Sequence, residues 1–254
     1  MLTYFCTGKL WIVFSQSDVI ANAKRHPLIM TEKERKVAQK FVDLMLKVTF
    51  RICNWDKDGK LTSRSSGFLY KKSESSPILV ITAGHGTPPE GSFIETTYVY
   101  QNQTAALNAG KFTVFYQQDG IDYAYSELPL ELIQKSLSPG MSFEFTCYKE
   151  PFVNAVKDEA YGFAVRNNYE FAKMGDAVVA PTYLCHELYL ELEKQEEHIN
   201  YFKPSRPIQE HEYYEGASGS PIADPTGKIC SILIGGTDPR KFLRAFRLDN
   251  IDLP

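Results

Sequence analysis

Nothing in this chain of 254 residues stays apolar for long. No stretch reaches the roughly 18 to 20 apolar residues that a membrane-crossing helix needs, so no membrane partner is expected. Cysteine is scarce and scattered: Cys6, Cys53, Cys147, Cys185 and Cys230, an odd number with no two at C-x-x-C spacing. That spacing argues against a disulfide framework and against a zinc site. Cys185 and His186 adjoin, but no second pair at suitable spacing accompanies them, so no metal is expected. Neither sign of charge dominates: 28 basic against 31 acidic residues leave a net charge of −3, which gives no footprint for a nucleic-acid partner. Histidine is rare too, with only His26, His85, His186, His198 and His211, so few side chains can serve as a neutral-pH base.

What is present is ordinary for a globular protein: 43% hydrophobic and 23% charged residues. The length suffices for one large β domain or two small ones. Near the N-terminus, "LWIVF" is shorter than the roughly 7 to 15 apolar residues of a secretory signal core, and Ser15 to Asp18 follow it directly. With unpaired cysteines, this favours a reducing, cytoplasmic setting.

The segment "TEKERKVAQKFVDLMLKV" opens with Thr31 and has Glu34 three residues on, a capping-box pattern. Val37, Phe41, Leu44 and Val48 then recur at helical spacing and predict the buried face. The helix is expected to be a structural lid on the main body, with a partner-docking or gating helix as the alternative. From Val48 the period changes to that of strands: "VTFRICNW", "SSGFLY", "ILVITAG", "FIETTYVYQ", "KFTVFYQ", "IDYAYSEL", "MSFEFTCY", "AYGFAV" and "ICSILIGG", separated by polar turns. Many short strands point to barrels or sandwiches rather than a parallel α/β sheet. The stretch 129–140 has few strand features and reads as the connection between two all-β halves. The expected organisation is an N-terminal extension over 1–46, a first β unit over 47–130, and a second with its tail over 131–254.

Two stretches carry chemistry. In "GASGSP", Gly216 and Gly219 let the backbone fold tightly around Ser218 and leave the amides of Gly216 and Ser218 free of obstructing side chains. In "TAGHG", His85 ends an apolar strand on a glycine corner. A G-x-S-x-G elbow is unavailable because position 220 is serine, and the last histidine, His211, precedes Ser218. Both facts argue against an α/β-hydrolase order. "QQDGIDYAYSELP" offers two carboxylates to orient the imidazole. Asp119 lies in a D-G turn, where local bonding is usual. Asp122 opens an alternating strand with the small Ala124 on its face, and is favoured.

Read together, His85, Asp122 and Ser218 bring out a resemblance. "TAGH", "DYA" and "GASGSP" resemble the T-A-x-H, D-x-A and G-x-S-G-x-P blocks of trypsin-like serine peptidases. "SGFLY…ILVITAGH" is similar to the strand leading into the family's histidine block. "SGSPIADPTGKICSILIGG" is similar to the nucleophile block of bacterial glutamyl-endopeptidase and trypsin-like peptidases. The resemblance spans residues 47 to 240. It implies a mainly β chymotrypsin-like fold of two antiparallel six-stranded barrels, preceded here by the helical extension. It also implies a triad of His85, Asp122 and Ser218, an oxyanion hole from the Gly216 and Ser218 amides, no cofactor, and a protein or peptide substrate.

Three departures stand out. Ala217 replaces the aspartate that pairs with a freed N-terminus in secreted digestive members, so that ion pair is unavailable. Gly84 and Gly86 replace the alanine and cysteine that usually flank the histidine. These features suit an intracellular enzyme that is either assembled directly or gated by a regulatory partner. A catalytically silent peptide- or partner-binding module is the alternative. By the same resemblance the pocket floor falls near Glu212, beside Tyr213, and a buried glutamate there favours Lys or Arg substrates. Leu233 and Gly235 lie on the wall strand, and Leu233 stands where glutamyl endopeptidases place a histidine, which argues against acidic specificity. The glutamate-rich stretch from His186 to Glu215 reads most simply as solvated loop charge.

Overall fold

A computed structural model of the chain describes residues 2–6, 9–13, 32–55, 58, 61–87, 93–95, 106–117, 119–136, 145–168, 172–174, 177–179, 182–205, 214–237 and 241–254. Strands β1 (Leu2–Cys6) and β2 (Lys9–Val13) form an antiparallel hairpin, followed by helix α1 (Glu32–Val48). The first half then runs through β3 (Thr49–Trp55), β4 (Leu61–Tyr70), β5 (Leu79–Thr82), β6 (Phe93–Glu95), β7 (Ala106–Asn108), β8 (Thr113–Tyr116) and β9 (Asp122–Glu127). Helix α2 (Leu130–Ser136) lies in the predicted connection. The second half contains β10 (Ala160–Asn168), β11 (Ala172–Met174), β12 (Ala177–Val179), β13 (Thr182–Gln195), β14 (Ile199–Lys203), β15 (Pro221–Ala223), β16 (Ile229–Gly236) and β17 (Leu243–Arg247).

The second half closes into a six-stranded barrel in the order β10-β13-β14-β17-β16-β15. Closure leaves no unpaired edge, and the interior fills with Phe163, Leu190, Phe202, Ile222, Cys230 and Leu243 among others. The first half differs from the expected closed six-stranded barrel. Its described strands make a seven-stranded sheet in the order β7-β6-β3-β4-β5-β9-β8. The two edge strands are nonetheless joined by only residues 109–112. Seven strands laid flat would separate those edges by roughly 29 Å, more than so short a link can span. The sheet therefore curls around Phe50, Ile52, Leu69, Val80 and Phe112, which form its own core.

The glutamate-rich stretch needs a correction. Residues 182–195 are one long strand, not a loop: Cys185, Leu190 and Leu192 are buried, while Glu191 and Glu193 face solvent. Leu188, Leu190 and Leu192 carry the period-2 signal that the glutamates between them obscured. Of "MSFEFTCY", residues 141–144 lie outside the described residues. Among its described residues, 145–148, only an isolated bridge from Tyr148 to Tyr70 forms.

A third core lies between the halves. Phe68, Leu79, Ile81 and Ala83 of the first sheet meet Ala164, Ile229, Ile232, Ile234 and Phe246 of the barrel. Tyr123 stacks on Phe246 across this interface, with ring centroids 5.0 Å apart. Phe41, Val42 and Met45 from α1 complete the same core. The helix is thus an integral wall, and its face is the predicted one only at Phe41 and Val48. Val48 is buried with these three, but Val37 and Leu44 are 50% and 40% exposed. The reason is the shape of the receiving surface. Phe41 settles over Gly162, where an added Cβ would lie 2.9 Å from its ring. Leu44 instead rides over the Gly227 turn. Glu32–Lys36 and Gln39–Asp43 contacts line the outer side.

Candidate active site

The continuous apolar strand β5 is held between β4 and β9 and delivers the chain into a tight corner. Thr87 donates from its backbone to Gly84 and from its hydroxyl to Ala83. Gly86 has φ +72°, a left-handed conformation that suits glycine. Gly84 is needed for another reason. A Cβ there would lie 2.6 Å from the Phe115 carbonyl and 2.9 Å from that of Tyr123, so β8 and β9 press on this backbone directly. His85 stands at the apex with its ring one-third exposed.

Asp122 opens β9 opposite Tyr116, and its residue is buried together with Ala124 and Ser126 along one face. Its carboxylate accepts two bonds from His85. The backbone N–H reaches Oδ1 at 2.8 Å, and Nδ1 lies 2.8 Å from Oδ2. Among the described residues, Asp119 accepts a hydrogen bond from the nearby Ile121 amide, at 3.5 Å.

Ser218 comes from the other half, on the turn that leads into β15. Gly216 and Gly219 have φ of +77° and +88°. The Ser218 Oγ lies 3.1 Å from His85 Nε2. A side chain at Gly219 could not be accommodated, since its Cβ would stand 1.9 Å from the Ser66 carbonyl oxygen. The loop is braced from both sides. Within its own barrel, Gly219 donates to the Leu233 carbonyl at 2.7 Å and Leu233 donates to that of Ser220 at 2.8 Å. From the first sheet, the Ser66 amide donates to the Ser218 carbonyl and the Ser66 hydroxyl to the Gly216 carbonyl, both at 2.7 Å.

The geometry brings together His85, Asp122, Ser218 and Gly216. Leu233 is buried in the barrel interior, and its backbone braces the nucleophile loop. The space where a side chain would stand at Gly235 is open. Glu212 and Tyr213 lie outside the described residues. Tyr214 packs near Phe163 and donates its hydroxyl to Glu187. Cys185 and His186, as strand neighbours, point to opposite faces, and burial pushes the Cys185 thiol well above its ordinary pKa.

Sequence reasoning missed three participants. Ser66 braces the nucleophile loop. Asn54 holds the carbonyl of Gly86 at 3.1 Å. Tyr116, 65% exposed, sets its ring 6.5 Å from that of His85. The S-G-F block marked the neighbourhood of Ser66, but nothing local marked Asn54 or Tyr116.

The tobacco etch virus protease, solved as a cysteine-to-alanine mutant, matches with a TM-score of 0.52. It is 11% identical over 82% of this chain and 76% of that one. The same protease in a catalytically active form complexed with product gives 0.50, with 12% identity over 82% and 75% of the two chains. The fold is chymotrypsin-like. At these identities the likeness is one of architecture. No protein-family model and no curated protein matches the sequence. No helix among the described residues is long and apolar enough to cross a membrane.

Proposed function

We propose that the protein is a serine endopeptidase that cleaves peptide bonds through Ser218, His85 and Asp122. The observation that carries this reading is the unbroken relay from Asp122 Oδ2 through the imidazole to Ser218 Oγ, at 2.8 and 3.1 Å, across two halves of a protease-like fold. Ser218 and His85 are 133 residues apart in sequence, so local chain preference does not account for their meeting.

Asp122 accepts from Nδ1–H, which leaves Nε2 as the acceptor for the serine proton. Ser218 Oγ attacks the scissile carbonyl carbon, and His85 takes the proton and passes it to the leaving amine. The resulting acyl-enzyme is cleared by a water that His85 deprotonates in turn. Asp122 stabilises the imidazolium in both steps. The Gly216 and Ser218 amides bind the oxyanion, one such donor contributing about 3 to 4 kcal/mol. Preference for Lys or Arg is assigned to Glu212, and cleavage mapping on a peptide library that shows no basic preference removes that assignment.

The deciding experiment is labelling with a fluorophosphonate probe, comparing the intact chain with Ser218→Ala and His85→Ala. Labelling that needs both residues is expected. A folded chain that takes no label, or labels equally after Ser218→Ala, overturns the reading.

A further inference from the structure

Glycine holds φ +77° at residue 216 no more readily than the opposite sign, so the chain's own preferences do not fix the direction of the Gly216 amide. The neighbour between the two oxyanion amides gives no ionic anchor either, because Ala217 is apolar and fully buried. The barrel braces the loop at Gly219 and Ser220, but the carbonyls of Gly216 and Ser218 are gripped from the other half of the molecule. Ser66 donates from its Oγ to the Gly216 carbonyl and from its backbone N to the Ser218 carbonyl, each at 2.7 Å. One residue thereby holds both residues whose amides would form the hole.

Ser66 is itself immobilised. It is 2% exposed, inside the ten-residue strand β4, and its own carbonyl accepts the Thr82 hydroxyl at 2.6 Å. Thr82 ends β5, three residues before His85. The base and the oxyanion loop are therefore referenced to the same pair of strands.

We propose that Ser66 is the positioning residue of the oxyanion loop, a clamp across the two halves that fixes the Gly216 and Ser218 carbonyls and thereby the backbone that carries the two amides, without any bound partner. The proposal rests on the serine-peptidase reading of Ser218. It chooses direct assembly over gating, because both ends of the clamp belong to the packed halves themselves.

Ser66→Ala isolates the effect, since it deletes the bond to Gly216 and leaves the backbone bond to Ser218 in place. Ser66→Cys keeps a weak donor of similar size. The full-length chain, with no partner added, is titrated with the fluorophosphonate probe to separate the maximal labelling rate from the half-saturating concentration. Thermal unfolding is followed alongside. The intact chain is expected to label at Ser218. Ser66→Ala should lower the maximal rate about tenfold while the half-saturating concentration stays within about twofold, as expected when one neutral hydrogen bond is lost from the assembled state. Ser66→Cys should fall between the two.

A maximal rate for Ser66→Ala within twofold of the intact chain overturns the clamp and leaves the peptidase reading standing. So does a Ser66→Cys rate no better than that of Ser66→Ala, which marks the hydroxyl as mere packing. Should Ser66→Ala fail to fold, Ser66→Cys decides alone: a rate reduced at unchanged unfolding temperature supports the clamp, and an unchanged rate overturns it. A folded intact chain that does not label without a partner overturns both the clamp and the reading beneath it.

Discussion

Asp122→Asn tests the relay most directly, because its effect follows from counting donors. The native carboxylate accepts both the His85 backbone N–H and the Nδ1 proton. An amide has one acceptor oxygen, so one of these bonds must change. The backbone N–H cannot give up its proton, whereas the imidazole can move its own to the other nitrogen. The Asn oxygen is therefore expected to keep the backbone bond while its NH₂ donates to an unprotonated Nδ1. That leaves the proton on Nε2, facing Ser218 Oγ at 3.1 Å, where it can no longer accept from the serine. A wrong tautomer of this kind costs about 10,000-fold in rate. The substituted residue is buried and nearly isosteric, so the stability loss should stay within about 1–3 kcal/mol, the range for one compromised buried hydrogen bond. Fluorophosphonate labelling rates at neutral pH, beside urea unfolding of the same samples, read both quantities. Labelling within tenfold of the intact chain would refute the assignment of Asp122 as the orienting group. Loss of labelling together with unfolding would point to a purely structural aspartate.

Gly219→Ala should cost at least about 2 kcal/mol, because its Cβ meets the Ser66 carbonyl in a left-handed backbone. Gly86→Ala has the same sign of φ but open space around it, so about 1–2 kcal/mol is expected, and equal losses in urea unfolding would contradict the close approach at Gly219. Met45→Ala on α1 should cost about 2–5 kcal/mol and Val37→Ala about 0.5 kcal/mol or less, and a reversed order would mean that the helix packs by its Val37 and Leu44 side. Tyr148 and Tyr161 are both pushed up to about 12, chiefly by burial. The folded state favours their protonated form, so the stability they contribute is complete below about pH 10 and lost as pH rises to 12. Tyr161→Phe should flatten the decline of the unfolding midpoint across that window, and an unchanged slope would assign it to other groups.

The readable parts of this sequence were those whose chemistry is local. A histidine on a glycine corner, a serine between glycines and an aspartate opening an alternating strand each need a particular backbone, and that need is written in adjacent residues. Strands such as β5 and β16 were legible because continuous burial leaves an unbroken apolar run. Strand β13 was not, because its exposed glutamates broke that run and drew attention from the leucines between them. Expecting Val37 and Leu44 on the buried face of α1 failed for a related reason. Helical period gives a stripe, but Gly162 and Gly227, more than a hundred residues downstream, decide how that stripe is rotated.

The same distinction separates the three reacting side chains from what holds them. Ser218 sits in a loop whose glycines permit its shape without enforcing it, and the enforcing bonds come from Leu233 within the barrel and from Ser66, 152 positions earlier in the chain. Ser66 carries no chemistry of its own, so a search for nucleophiles, bases and ligands passes over it. Its hydroxyl matters only because β4 and the nucleophile loop meet, and that meeting depends on the shared core of Phe68, Ile81, Ile232 and Phe246 with α1 behind it. Burial of those apolar faces is roughly proportional to area and is non-directional, so it can bring the halves together without aligning them. The directional part falls to a few hydrogen bonds across the seam: Ser66 to the nucleophile loop and His85 to Ser218. Stability and alignment should therefore separate experimentally. Substitutions in the shared core should lower the unfolding midpoint before they alter labelling of the folded fraction, while Ser66→Ala should do the reverse.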